Sequence, residues 1–144
     1  MKAVILILHL LCAGLWLGCV LTEVLFERAL LGQGRDAERM LAALHWQVDV
    51  WVEMPALLTV LLTGWLLWGQ SQSTVLLQLK VGAALVAVGA NVYCMWLVFK
   101  RRHHAQCNAW QAFETVDDLQ HKTGAVVLLG VLLAASLGVA LAWH

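Results

Sequence analysis

Ionisable residues interrupt the apolar stretches of this chain at spacings that set them on helix faces. His9, Trp16 and Glu23 are seven residues apart, close to two helical turns, and Glu27 lies one turn further. His45, Asp49 and Glu53 advance by four along a second segment, while Lys80 and Asn91, eleven apart, return to one face of a third. His121 opens the last apolar segment. Two chemistries suit such a set. Histidines projecting into a helical bundle serve as axial ligands to haem iron, and the lack of a CxxCH motif makes that haem b-type. Clustered imidazoles and carboxylates can alternatively hold a metal ion or relay protons.

Membrane helices must carry these groups. The chain of 144 residues is 62% hydrophobic and 12% charged, with a mean hydropathy of +0.79, more apolar surface than a soluble domain of this size could hide. Four apolar runs, at about residues 3–26, 45–68, 74–99 and 122–143, each supply the roughly 20 residues that cross a bilayer. They are too long and unbroken for membrane β-strands. The expected fold is all-α: a single-domain, integral membrane four-helix bundle with the lipid bilayer as its solvent. The first run is too long for a secretory signal peptide and lacks a clear A-x-A exit.

The connectors carry their own signals. Gly32-Gln33-Gly34 breaks the first, and the second helix should begin near Asp36. The short uncharged connector 69–73 predicts a tight antiparallel hairpin of helices two and three. The connector 100–120, with Trp110 and Phe113, has the composition of a short surface helix. Arg28, Arg35, Arg39, Lys100, Arg101, Arg102 and Lys122 collect at one end against Lys2 at the other, so both termini are expected on the non-cytoplasmic side. Formal net charge is zero, so nucleic acid is not an expected partner.

An ionisable group within a span costs at least about 2.5 kcal/mol, so the polar faces should point into the bundle. His9 and Lys80 fall about 8 to 9 Å below the outer surface. At the inner side, Glu27, His45 and His121 lie at the boundary, Glu23 and Asp49 about one turn deeper, Glu53 and Asn91 about two turns deeper. The result is a polar funnel. Interfacial solvation also accounts for Glu27, His45 and His121, and outward snorkelling for Lys80. His9 and Glu53 have no easy route to water and are functional candidates. His103, His104 and His144 belong to a loop and the terminus. Gly130, Ala134 and Gly138, and Gly14 with Gly18, are expected at helix contacts; Trp46, Trp65, Trp68 and Trp143 are expected at the interfaces.

His9 and Trp16 in "HLLCAGLW", Pro55 and Gly64 in "MPALLTVLLTG", and Lys80 in "LQLKVGAAL" run in order over about two-thirds of the chain. Together they resemble the haem-containing, oxygen-independent protoporphyrinogen oxidase family, whose fold pattern is shared with the copper-resistance protein D domain. The resemblance implies a b-type haem in a bacterial inner-membrane bundle, with His9 and Lys80 matching the family's essential histidine and lysine. The chain departs from the family beyond the third helix, where it has Asn91-Val92-Tyr93 and His121-Lys122-Thr123-Gly124, which leaves a relation to porphyrinogen oxidation open.

The expected function is therefore a haem b membrane protein with a redox or electron-transfer role and a membrane or periplasmic redox partner. His9 leads as iron ligand, with His45 and His121 as the alternative pair. Glu23, Asp49, Glu53 and Asn91 would orient a ring or carry protons, and Lys80 would hold a propionate or an anionic substrate. Lys80 and Glu53 are the catalytic candidates. The rival is a copper or other metal transport or accessory protein, in which Cys12, Cys19, Cys94 and Met95 would matter more, although no Met-x-x-Met pair occurs. The four cysteines, with no CxxC, otherwise read as small hydrophobes. A third reading is a structural subunit of a respiratory complex. The lipid-facing apolar surface is also compatible with homo-oligomers.

Overall fold

The computed structural model describes residues 1–143, with side chains through Leu141; His144 and the Trp143 side chain lie outside the described residues. Four helices, each long and apolar enough to cross a membrane, form an all-α bundle with no strand among the described residues. They are α1 (Lys2–Leu30), α2 (Arg35–Trp68), α3 (Val75–Gln106) and α4 (Trp110–Trp143).

Gly32 (φ 76°) and Gly34 (φ 107°) supply the left-handed conformations that turn α1 into α2. At the same end, no separate surface helix forms between residues 100 and 120. Instead α3 runs on to Gln106, α4 starts at Trp110, and Asn108 at φ 57° makes the turn. Pairs one helical turn apart, such as Lys122 with Asp118 at 2.6 Å, support these polar extensions. Trp110 and Phe113 pack with Ala42 and Ala105 rather than lying on a lipid surface. The helices thus project beyond the apolar spans at what is here called the basic end, opposite the terminal end.

Two helix pairs make the bundle. α1 lies along α2, and α3 along α4; the pairs join at the basic end, where Arg35–Val48 packs on α3. Toward the terminal end, the Met54–Trp68 stretch of α2 scarcely touches α3. The tight hairpin expected from the short connector is therefore absent. The small-residue face of α3 is taken by α4, since a Cβ on Gly130 would come within 2.8 Å of the Ala87 Cβ. Gly130→Val should accordingly destabilise the fold by about 1–3 kcal/mol, read as earlier thermal unfolding of the detergent-solubilised protein; unchanged unfolding would contradict the close crossing. Gly14 and Gly18, expected at a helix contact, meet no neighbour. α1 instead buries Trp16, Cys19 and Val20, on a different face. At mid-bundle, Trp16, Val20, Leu57, Ala87, Val127 and Val131 form an apolar layer contributed by all four helices.

Candidate functional site

A π-helical turn over Asp49–Glu53 places the deepest acids. Four residues of regular α-helix overshoot a full revolution by about 40°, so His45, Asp49 and Glu53 would drift around a straight helix. The wider π turn takes up the excess and keeps all three buried. The chain's single proline follows at Pro55, where its missing N–H and its ring would disrupt a regular bond back to Trp51. Glu23 of α1 meets the pair, and one carboxyl oxygen from each of Glu23, Asp49 and Glu53 lies within 4.8 Å of the others. The Glu23 and Asp49 carboxyls are within hydrogen-bonding reach of each other, and Asn91 and Trp16 flank Glu53. Trp16 Nε1–H donates to Asn91 Oδ1 at 3.3 Å. Glu23 Oε1, Asp49 Oδ2, Glu53 Oε2 and Asn91 Nδ2 are buried without an aligned partner.

Closer to the basic end stands a charged cluster centred on Arg101, whose 0% exposure contradicts its expected place in a solvated loop. Its Nη1 donates to Glu27 Oε1 at 3.1 Å and to Gln120 Oε1 at 3.3 Å, and its Nη2 lies 2.5 Å from Asp117 Oδ1. His121 Nε2 pairs with Glu27, and its Nδ1 donates to the Asp117 carbonyl at 2.9 Å. Glu27, Asp117 and His121 are spaced like metal ligands, but Arg101 already balances the two acids from between them. A cavity of about 190 Å³ runs from His121 past Glu27, His45 and Gln120 to Glu23.

The hydrogen bonds give the three membrane histidines different proton positions. Thr63 has one hydroxyl hydrogen, which goes to a backbone carbonyl (Thr59 O at 2.6 Å, with Val60 O at 3.2 Å). With the hydrogen there, its oxygen accepts from His9 Nδ1–H at 2.9 Å, the assignment that leaves the His9 Nε2 lone pair free. His45 is the reverse. Gln120 gives its carbonyl oxygen to Arg101, so its amide N–H donates to His45 Nδ1 at 3.0 Å and the ring proton sits on Nε2. That Nε2–H, beside the Glu23 carbonyl, has no aligned partner. His121 donates from both nitrogens.

His9 and Lys80, both half-buried, flank the gap between the helix pairs and lie within electrostatic range of each other. Gly64 makes room for the imidazole, since a Cβ there would stand 3.3 Å from His9 Cε1, and Gly138 makes room for the lysine stem in the same way. The structure thus separates the sequence candidates into two groups: His9 with Lys80 in the terminal half, and Glu23, His45, Asp49, Glu53, Asn91 and His121 in the basic half. No group of three close metal-binding side chains among the described residues includes a cysteine. Sequence reasoning missed Thr63, Arg101, Asp117 and Gln120. For Arg101 a signal existed: Asn91, Met95, Val98, Arg101 and Ala105 recur at the spacing of one buried stripe. Comparison with protein-family models, with curated proteins and with solved structures finds no match.

Proposed function

We propose that the chain is a multi-pass inner-membrane protein that binds a b-type haem through His9 Nε2 and takes part in electron transfer, its basic end facing the cytoplasm. The observation that carries this reading is the 2.9 Å contact of His9 Nδ1 with Thr63 Oγ1, which, with the Thr63 hydrogen on a backbone carbonyl, leaves the opposite nitrogen the lone pair an axial ligand needs. The donor set around it fits the group. Lys80, within electrostatic range of His9, offers a cation to a propionate. The inner histidines fit less well, because Glu27 stands between them. When bound, haem supplies one-electron exchange between ferrous and ferric iron. The protein's part would be to hold the imidazole at one tautomer through Thr63 and to leave the ring room at Gly64.

The test is a reduced-minus-oxidised visible spectrum of the detergent-purified protein from haem-replete cells. A b-type band is expected; a colourless, folded protein would overturn the reading and bring metal transport forward. Thr63→Val, which keeps the shape and removes the acceptor, should weaken haem binding by about 10- to 100-fold, measured by haem titration of the apoprotein. Binding as tight as in the unsubstituted protein would show that Thr63 does not orient the ligand.

A further inference from the structure

We propose that the basic half of the bundle is a proton inlet, a half-channel that carries protons from the basic-end surface through the cavity to Glu23, Asp49 and finally Glu53, where an apolar layer stops them. The inlet stands on its own and does not require the haem.

Its mouth is at the surface. His121 is exposed, and the cavity it opens continues past Glu27 and His45 to Glu23, with room for several waters. From Glu23 the carboxyl oxygens of Asp49 and Glu53 follow within 4.8 Å. Each step is a plain proton transfer. A hydronium ion in the cavity loses an O–H bond as Glu23 gains one; Glu23 then gives that proton to Asp49, and Asp49 to Glu53, with no electron changing hands. Past Glu53 the route closes. Trp16, Leu57, Ala87 and Val131 fill the next layer with no carboxylate or imidazole among them.

Three close carboxyl groups in lipid must be neutralised by protons or by a cation. The donors beside the cluster decide between them. His45, 1% exposed, lines the cavity with its Nε2–H beside the Glu23 backbone carbonyl, and Asn91, 2% exposed, has its Nδ2 amide beside Glu53. Both are hydrogen-bond donors. They suit carboxyl groups and water and would oppose a cation with their positive ends. The other charged side chains facing the path, Arg101, Glu27, Asp117 and His121, are held in the ion cluster at the mouth, and the thiols of Cys19 and Cys94 are the remaining titratable groups near the acids. The three buried carboxyl oxygens without partners cost stability rather than adding it, which a purely structural role would not explain.

The experiment follows the carboxylic acid C=O infrared band of the haem-free protein in lipid nanodiscs after transfer into deuterated buffer. A band that disappears in Glu53→Gln, and shifts in Glu53→Asp, is expected. Its hydrogen-to-deuterium exchange should slow by about a hundredfold in Asp49→Asn and Glu23→Gln, as each removes a positioned proton carrier. Leu57→Ser, in liposomes holding a pH-sensitive dye, should admit protons faster than the unsubstituted protein, and adding Glu53→Gln should cancel the gain. Exchange unchanged by Asp49→Asn, or loss of the band on adding manganese(II) alone at stoichiometric amounts, would overturn the proposal, the second result because the cluster then holds a cation. Neither result bears on the visible spectrum, so failure of the inlet and failure of the haem reading can be told apart.

Discussion

His9→Ala is expected to abolish the b-type band, whereas His45→Ala and His121→Ala leave it in place. The difference follows from where each ring keeps its proton. An iron ligand must offer a nitrogen lone pair, and of the three only His9 has one free: with Thr63 accepting from Nδ1–H, Nε2 has no hydrogen-bond partner. For His45 to ligate, it would have to give up the bond from Gln120 or shed its Nε2 proton. For His121 it would have to break its pair with Glu27 or its bond to the Asp117 carbonyl. The His9 substitution removes a half-buried side chain, so the fold should survive, and circular dichroism with the elution profile of the detergent-solubilised protein checks this. The measurement is the haem-to-protein ratio of the three variants. A band that persists in His9→Ala and vanishes in either of the others would place the haem between the inner histidines and remove the argument from tautomers.

The same comparison marks how far the sequence could be read. Run length and composition were enough for four membrane helices, because bilayer thickness fixes the length a span needs. The spacing of His45, Asp49 and Glu53 was enough to put them on one face, although the π turn that keeps them there depends on Pro55 and on packing against α1. Depth and the family resemblance put His9 first, but nothing in the sequence places the ring protons of His9, His45 and His121. Their proton positions are set by Thr63, Gln120 and Glu27, which lie 54, 75 and 94 positions away along the chain, the last by subtraction of 27 from 121. Arg101 was misplaced for a related reason. Lys100 to His104 are five consecutive ionisable residues, which masks the buried stripe, and only the partners brought by α1 and α4 make the interior tolerable for Arg101. The parting of the two helix pairs was equally hidden, since it follows from α4 claiming the Ala83 and Ala87 face that the neighbouring α2 would otherwise use.

Arg101→Met should destabilise the protein by about 3–5 kcal/mol, the cost of breaking a buried ion cluster by removing one partner. The guanidinium is fully buried and serves two carboxylates and an amide at once. Methionine retains the stem and the packing volume, so the loss reports the charge rather than a cavity. It would leave Glu27 with His121 as its remaining close cation and Asp117 with little compensation, both largely out of water. Removing the acids together with the arginine should reverse most of the damage: in the triple variant with Glu27→Gln and Asp117→Asn no uncompensated charge remains, and buried clusters replaced as a whole are often neutral or better. Thermal unfolding in nanodiscs measures all of these forms. A single variant as stable as the unsubstituted protein would mean that the cluster is solvated. A triple variant no better than the single one would mean that Arg101 holds α3 against α1 and α4 by the geometry of its five donors, with charge balance secondary. The expected rescue instead assigns Arg101 the role of electrostatic keystone at the mouth of the inlet: it fixes Glu27 and Asp117 where they line the approach, so that mobile protons rather than standing charges pass on to Glu23.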